Sequence, residues 1–296
     1  MIKISVVIPS YNGAHKIGRL LRSLEKQSYS DFETIVVIDG STDDTEKLIR
    51  SENYALRDLK IVFQENQGRS ITRNNGAKQA SGNIILFIDD DMEAEATLVQ
   101  KHVDFHSGHA GSILIGSPFR KAEDARTGFD QFQLKVENSW IKNLEPGTVS
   151  YSNFAFTAQQ CSLSRILFVE LGTFDERLTD AEDFDLGIRA LQHDVPIWFD
   201  PTIITWHCDW PKLDQYIRRH RQYLNANRKL LGLHPDYAAL FPGLTVQPSA
   251  GIKKKIARSF AHLAGKAIAE DKYSFKILPL RLKFLLIRLV ISGSLD

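Results

Sequence analysis

Three consecutive acids, Asp89-Asp90-Asp91, end the apolar run Asn83 to Ile88 (NIILFI). Carboxylates at the end of a buried strand suit Mg²⁺ or Mn²⁺, which keep water and phosphate oxygens among their ligands. Alternation along a strand turns Asp89 and Asp91 one way and Asp90 the other, so one acid can hold metal while another reaches a ribose. The run fits equally a solvated acidic turn, or a cap for a helix over Glu93 to Gln100. A second acidic pair, Glu182-Asp183, opens the amphipathic stretch Ala181 to Gln192. The helix dipole alone favours acids in that place. In a cleft, one of them would serve as a general base. Asp39, followed by Gly40-Ser41-Thr42-Asp43, can accept the imide N–H of a nucleobase or cap the next helix. Tyr11 can stack on that base or pack in its turn. Arg69 and Arg73 carry guanidinium forks that suit a base or a diphosphate, or a surface ion pair. His207, behind Trp206, offers an imidazole as a further metal ligand, or a half-buried side chain beside Trp206 and Trp210.

The elements that would gather these residues alternate along the chain. Ile2 to Ile8 (IKISVVI) is β-branched and apolar and reads as a buried parallel strand ended by Pro9. Helical spacing follows at Ile17, Leu20, Leu21 and Leu24. Phe32 to Ile38 is a second strand, stopped at Asp39-Gly40, and Leu59 to Phe63 is a third. Ser70 to Ala80 reads as a helix, and Asn83 to Ile88 as the fourth strand. Such alternation predicts βαβ units and a mostly parallel sheet, with ligands beyond the carboxyl ends of the strands. Three of those ends carry Ser10-Tyr11, Asp39 and Asp89 to Asp91. Further on, strands are expected at Ser112 to Gly116 and Ile197 to Thr205, and helices at Gln131 to Ile141, Ala181 to Gln192 and Leu213 to Leu231.

The segments SVVIPSYN (Ser5 to Asn12), DGSTD (Asp39 to Asp43), QGRSITRNNG (Gln67 to Gly76) and IDDD (Ile88 to Asp91), then GTFDE and AEDFD between Gly172 and Asp185, resemble the inverting family 2 glycosyltransferases of the GT-A fold. The resemblance implies an α/β domain of GT-A type, Rossmann-like, with a mostly parallel central sheet flanked by helices. It implies a nucleotide pocket at Pro9, Tyr11, Asp39, Arg69 and Arg73, and a metal and diphosphate site at the Asp run. On that basis Asp89 and Asp90 are expected at the donor, and Asp91, Asp89 and His207 at Mn²⁺ or Mg²⁺. Asp183 is expected to be the catalytic base, with Glu182 orienting the site or touching the acceptor. The sequence departs from the family pattern at Asp90, where the middle residue is acidic too, and at Ile38, which replaces the first of two acids. The expected reaction moves a sugar from a nucleotide-diphosphate donor, with uridine favoured, to a glycan or lipid-linked acceptor. The non-enzymatic alternative is a degenerate nucleotide-sugar-binding or scaffold protein at a membrane. A nicotinamide dehydrogenase is excluded by the missing G-x-G-x-x-G after a strand. A metal-dependent hydrolase would leave Asp39 and Tyr11 without a role.

Of the 296 residues, 43% are hydrophobic and 25% charged, as in ordinary globular proteins. A net charge of +1 gives no push toward nucleic acid. Between Gly251 and Asp296 stand ten Lys or Arg against three acids, a net +7, so residues 1–250 carry −6. There Ile252, Ile256, Phe260, Leu263 and Ala267 form an apolar stripe, and beyond Pro279 come Leu282, Leu285, Leu286 and Leu289. A basic amphipathic tail of this kind suits an anionic membrane surface, so peripheral contact through 251–291 is expected. The alternative is packing on protein. The expected organisation is a nucleotide half at 1–110, an acceptor half at 111–232 and a helical tail at 233–296. Two cysteines outside any metal motif, no signal-peptide pattern and no long apolar run suggest the cytoplasm, at the inner face of the plasma membrane.

Overall fold

The computed structural model describes residues 2–241, 265, 268, 275 and 277–295. Strands β1 (Ile4–Ser10), β2 (Phe32–Asp39), β3 (Leu59–Gln64) and β4 (Ile84–Ile88) alternate with helices α1 (Ile17–Leu24), α2 (Thr45–Ser51) and α3 (Arg69–Lys78). Next come β5 (Met92–Ala94), α4 (Leu98–Gly108), β6 (Ile113–Phe119), α5 (Gly128–Lys142), β7 (Gly147–Val149), β8 (Gln160–Ser164), α6 (Arg165–Glu170), α7 (Glu182–Gln192) and β9 (Ile197–His207). Helices α8 (Leu213–Leu233), α9 (Tyr237–Leu240) and α10 (Leu280–Ser294) follow.

All nine strands join one sheet, ordered β3-β2-β1-β4-β8-β6-β9-β5, with β7 paired to β9. The first four run parallel, which their near-continuous apolar sequences require of strands covered on both faces. Pro9 does not end β1 but lies within it, opposite Val37. Pairing with β4 stops at Val7, so the missing N–H of Pro9 falls where β1 has a neighbour on one side only. Strand β8 enters antiparallel between β4 and β6. One core, with Val7, Val37, Phe87, Phe168 and Leu186, fills one face of the sheet; another, with Val6, Ile8, Leu20, Leu86 and Val99, fills the other.

The chain divides into two compact units, residues 1–119 with 141–209 and residues 120–140 with 210–296. The first holds the whole sheet. In the second, Phe129 and Phe132 of α5 pack with Leu213 and Tyr216 of α8 and with Ile287, Val290 and Ile291 of α10. Helix α10 has no acidic residue, buries that face, and leaves Leu282 and Leu285 40% and 54% exposed. The stripe expected from Ile252 to Ala267 lies outside the described residues. Among the described residues, no helix is long and apolar enough to cross a membrane.

Candidate active site

The carboxyl ends of β1, β2 and β4 bring the polar residues together. Two loops clamp each other first. Asn12, in the left-handed region at φ 49°, accepts the Thr42 N–H on its side chain at 2.8 Å and donates its own N–H to Ser41 at 3.0 Å. Gly13 N donates to Thr45 Oγ1 at 2.8 Å. This holds Tyr11, half exposed, beside the end of β2. Asp39 is buried, and its carboxylate accepts N–H bonds from Gln67 and Gly68 of the next loop at 2.8 and 3.0 Å and from the Gln64 side chain at 2.8 Å. Asp39 therefore shapes the loop ahead of Arg69, with one of about four lone-pair sites left over.

The three aspartates have three different partners. Asp89 accepts from Arg73 at 2.6 Å. Asp90 accepts from Ser10 Oγ at 2.7 Å and from Lys16 Nζ at 2.9 Å. Asp91 meets His207 Nε2 at 3.2 Å through Oδ2. Burial pushes Asp90 up to about 6, and the charge of Asp91 adds to this, against the pull of Lys16. Burial also works against the charge of Asp91, but His207, Lys16 and Arg69 outweigh it and hold its carboxyl well below the usual range. Burial disfavours the Lys16 ammonium, yet Asp90, Asp91 and Asp209 more than compensate and its pKa rises.

Arg73 is fully buried on α3, which lies so close to β1 that a Cβ at Gly76 would stand 2.4 Å from Val7. Its guanidinium bonds both Asp89 and Glu182, joining the end of β4 to the first turn of α7. Burial lifts the Glu182 carboxyl to about 7, with Asp183 adding and Arg73 opposing. Asp183 is half-buried and accepts the Ala158 N–H at 3.2 Å and the Phe184 N–H at 2.8 Å. Ala181, just ahead of them, is left-handed at φ 67°, ψ 12°. Arg69 is the more exposed arginine, 3.4 Å from Asp180. Pro9 is buried in β1, next to Ser10.

Among the described residues, no three His, Cys, Asp or Glu converge as a metal cage. A cation that keeps phosphate and water ligands needs less than that. Asp91 Oδ1 is buried and has no hydrogen-bond partner among the described residues, and His207 stands on the other oxygen. Asp91 with His207 thus fits a divalent cation, whereas Asp89 is occupied by Arg73. Sequence reasoning missed Lys16, Thr45 and Gln64, which belong to none of the recognised segments and are placed by contacts made across the chain. Ser10 and Ser41 lie within the segments SVVIPSYN and DGSTD, but their bonds to Asp90 and Asn12 are not readable from them. Trp198 packs on Phe105 and His109, with centroids 6.2 and 4.9 Å away.

Two of the similar solved structures illustrate a likeness over nearly the whole chain. The S. aureus TarS structure in complex with UDP has a TM-score of 0.58 and 22% identity, covering 99% of this chain and 88% of that one. A mannosyltransferase from Pyrobaculum calidifontis, in complex with GDP-Man and Mn²⁺, has a TM-score of 0.60 and 18% identity, covering 98% and 85%. Identities this low establish the fold alone, which is GT-A. Validoxylamine A glucosyltransferase of Streptomyces hygroscopicus subsp. jinggangensis is 31% identical over 224 residues, 66% of this chain and 52% of that protein. The chain thus spans about half the length of that relative. Glycosyltransferase AglE of Haloferax volcanii is 36% identical over 207 residues, 69% of this chain and 66% of that protein. The family model described as Glycosyl transferase family 2 matches residues 5–170. A match across more than half its length, on a sheet whose strand ends carry these acids, makes this chain a member of glycosyl transferase family 2.

Proposed function

We propose that this protein is an inverting glycosyltransferase that takes a sugar from a nucleotide-diphosphate donor, with UDP as the favoured nucleotide, and passes it to an acceptor hydroxyl. The observation that carries this is Arg73. One buried guanidinium ties Asp89, expected at the donor, to Glu182 of α7, the residue next to the candidate base Asp183. In this reading Tyr11 stacks on the base, Asp39 fixes the pocket and takes the base N–H, and Arg69 meets the phosphates. Residues 1–110 serve the donor and residues 111–232 the acceptor.

Asp91 and His207 would hold Mn²⁺ or Mg²⁺, which supplies charge neutralisation for the departing diphosphate. Asp183 takes the proton of the acceptor hydroxyl as its oxygen bonds to the anomeric carbon. The bond from that carbon to the diphosphate oxygen breaks, and the nucleoside diphosphate leaves with the electron pair. The two backbone N–H groups on Asp183 fix its carboxylate for this. A glycan end or a lipid-linked glycan is the acceptor. Contact with an anionic membrane is supported by the outer face of α10, where Leu282 and Leu285 lie beside Arg281 and Arg288 with no acid in the helix.

Calorimetric titration with UDP, with and without Mn²⁺, on wild type and Asp91→Ala tests the donor site. Metal-dependent binding that disappears in the variant is expected. If UDP, GDP and dTDP all fail to bind wild type, the proposal is wrong.

A further inference from the structure

We infer that Lys16 is a protein cation for the β-phosphate of the donor, and that Asp90 holds it in position; this rests on the nucleotide-diphosphate reading above. Lys16 belongs to none of the family segments and sits just ahead of α1. Its Nζ donates to Asp90 Oδ1 at 2.9 Å, while Ser10 Oγ donates to Oδ2 at 2.7 Å. Both oxygens of the middle acid are thereby engaged by the β1–α1 segment. Gly13 makes room for this, because a Cβ there would stand 2.3 Å from Ser10 Oγ and 2.6 Å from Asp90 Oδ2. Asp90 is therefore a holder, not a ribose ligand.

An ammonium has three N–H donors, and Asp90 takes one. Asp91 and Asp209 lie close enough to stabilise its charge, so the ammonium stands beside the acid whose Oδ1 has no partner. The Lys16 side chain keeps 19% of its surface exposed, so it is not sealed in the core. A diphosphate entering against Asp91 brings more negative charge than a divalent cation there can balance, since Asp91 contributes its own. Lysine is a compact point charge suited to phosphate, and one already held by a buried carboxylate loses little freedom on binding. The ordinary extra acid of a D-x-D run would only add repulsion; paired with Lys16, it delivers a cation.

The test is calorimetric titration of the full chain with UDP and with UMP, which lacks the β-phosphate, in Mn²⁺ and again in EDTA. The variants are Lys16→Met, Lys16→Arg and the double variant Lys16→Met with Asp90→Asn. Lys16→Met should weaken UDP roughly tenfold or more, as loss of a charged hydrogen bond does, and leave UMP within about twofold. Lys16→Arg should recover most of the loss. The double variant removes the stranded buried carboxylate, so it folds as wild type while keeping the UDP-selective defect. Equal loss on UDP and UMP would mean a loop latch and overturn the inference, as would an unchanged UDP affinity in the double variant. Wild-type protein that binds no nucleoside diphosphate would overturn both this inference and the donor reading, a result recognisable before any variant is made.

Discussion

Arg73 lies between Asp89 and Glu182, and it alone among the described cations bonds either carboxylate. Arg73→Met strips the buried Glu182 and the partly buried Asp89 of their hydrogen-bonded counter-charge, and removing one partner of a buried pair typically costs about 3–5 kcal/mol. The expected result is a lower urea midpoint at unchanged slope. Arg73→Lys should restore only part of it, because a single ammonium cannot span two carboxylates as a guanidinium fork does. Asp183→Asn removes a proton acceptor and keeps its size, so turnover should fall by about 10²–10⁴ while UDP affinity, read by titration, stays as in wild type. A comparable loss of UDP affinity would move Asp183 from the acceptor to the donor side. At this scale the acids were legible in the sequence, because their types and their positions, at the ends of strands or the start of an amphipathic helix, announce them. Their partners were not. Arg73 and Glu182 are 109 positions apart, and Lys16 reaches Asp90 from the end of β1 to the end of its neighbour β4, a pairing that no local pattern encodes.

Elements read from periodicity are those with periodicity to show: β1 to β4 and their helices fall within a few residues of the expected bounds. Strand β8 escaped notice because Gln160, Ser162 and Ser164 alternate with Cys161 and Leu163, although four of its five residues are buried. Gln160 and Ser162 face α4, while Ser164 caps α6. Ser162 Oγ lies 2.7 Å from His102 Nδ1 and from His106 Nε2. Burial depresses both imidazoles, to about 3 and about 4, each helped by a neighbouring histidine. The unfolded chain takes up these protons near pH 6.5 and the folded chain does not. The imidazoles' own contribution is therefore full above pH 6.5 and falls between there and about pH 4, by up to about 1.4 kcal/mol per pH unit each, while the raised Asp90 and Glu182 carboxyls act in the opposite sense over much of that window. Thermal melting of wild type and His106→Gln from pH 7.5 to 4.5 isolates the imidazole part: relative to its value at pH 7.5, the variant should be the more stable on acidification, and superimposable profiles would remove His106 from the account. Helix α7 begins at left-handed Ala181, a conformation costing about 1–2 kcal/mol in an L-residue. Ala181→Gly should match or slightly raise the melting temperature, whereas Ala181→Val should lower it and misdirect Glu182 and Asp183.

For the molecule as a whole, the boundaries between units were not legible, since each unit is built from two separated stretches and periodicity reports only neighbours in sequence. The charge asymmetry was legible and bears on the membrane proposal. Leu282→Glu with Leu285→Glu should abolish sedimentation with vesicles containing phosphatidylserine and leave nucleotide binding intact; retained sedimentation would refute a role for α10. The discontinuous second unit also has a consequence during synthesis. A chain emerging from the ribosome N-terminus first delivers residues 120–140 well before α8 and α10 exist. Phe129 and Phe132 must wait, uncovered, through some eighty further residues of translation before their packing partners arrive. Nascent chains arrested near residue 210 should accordingly be better clients for apolar-binding chaperones than chains arrested past α10.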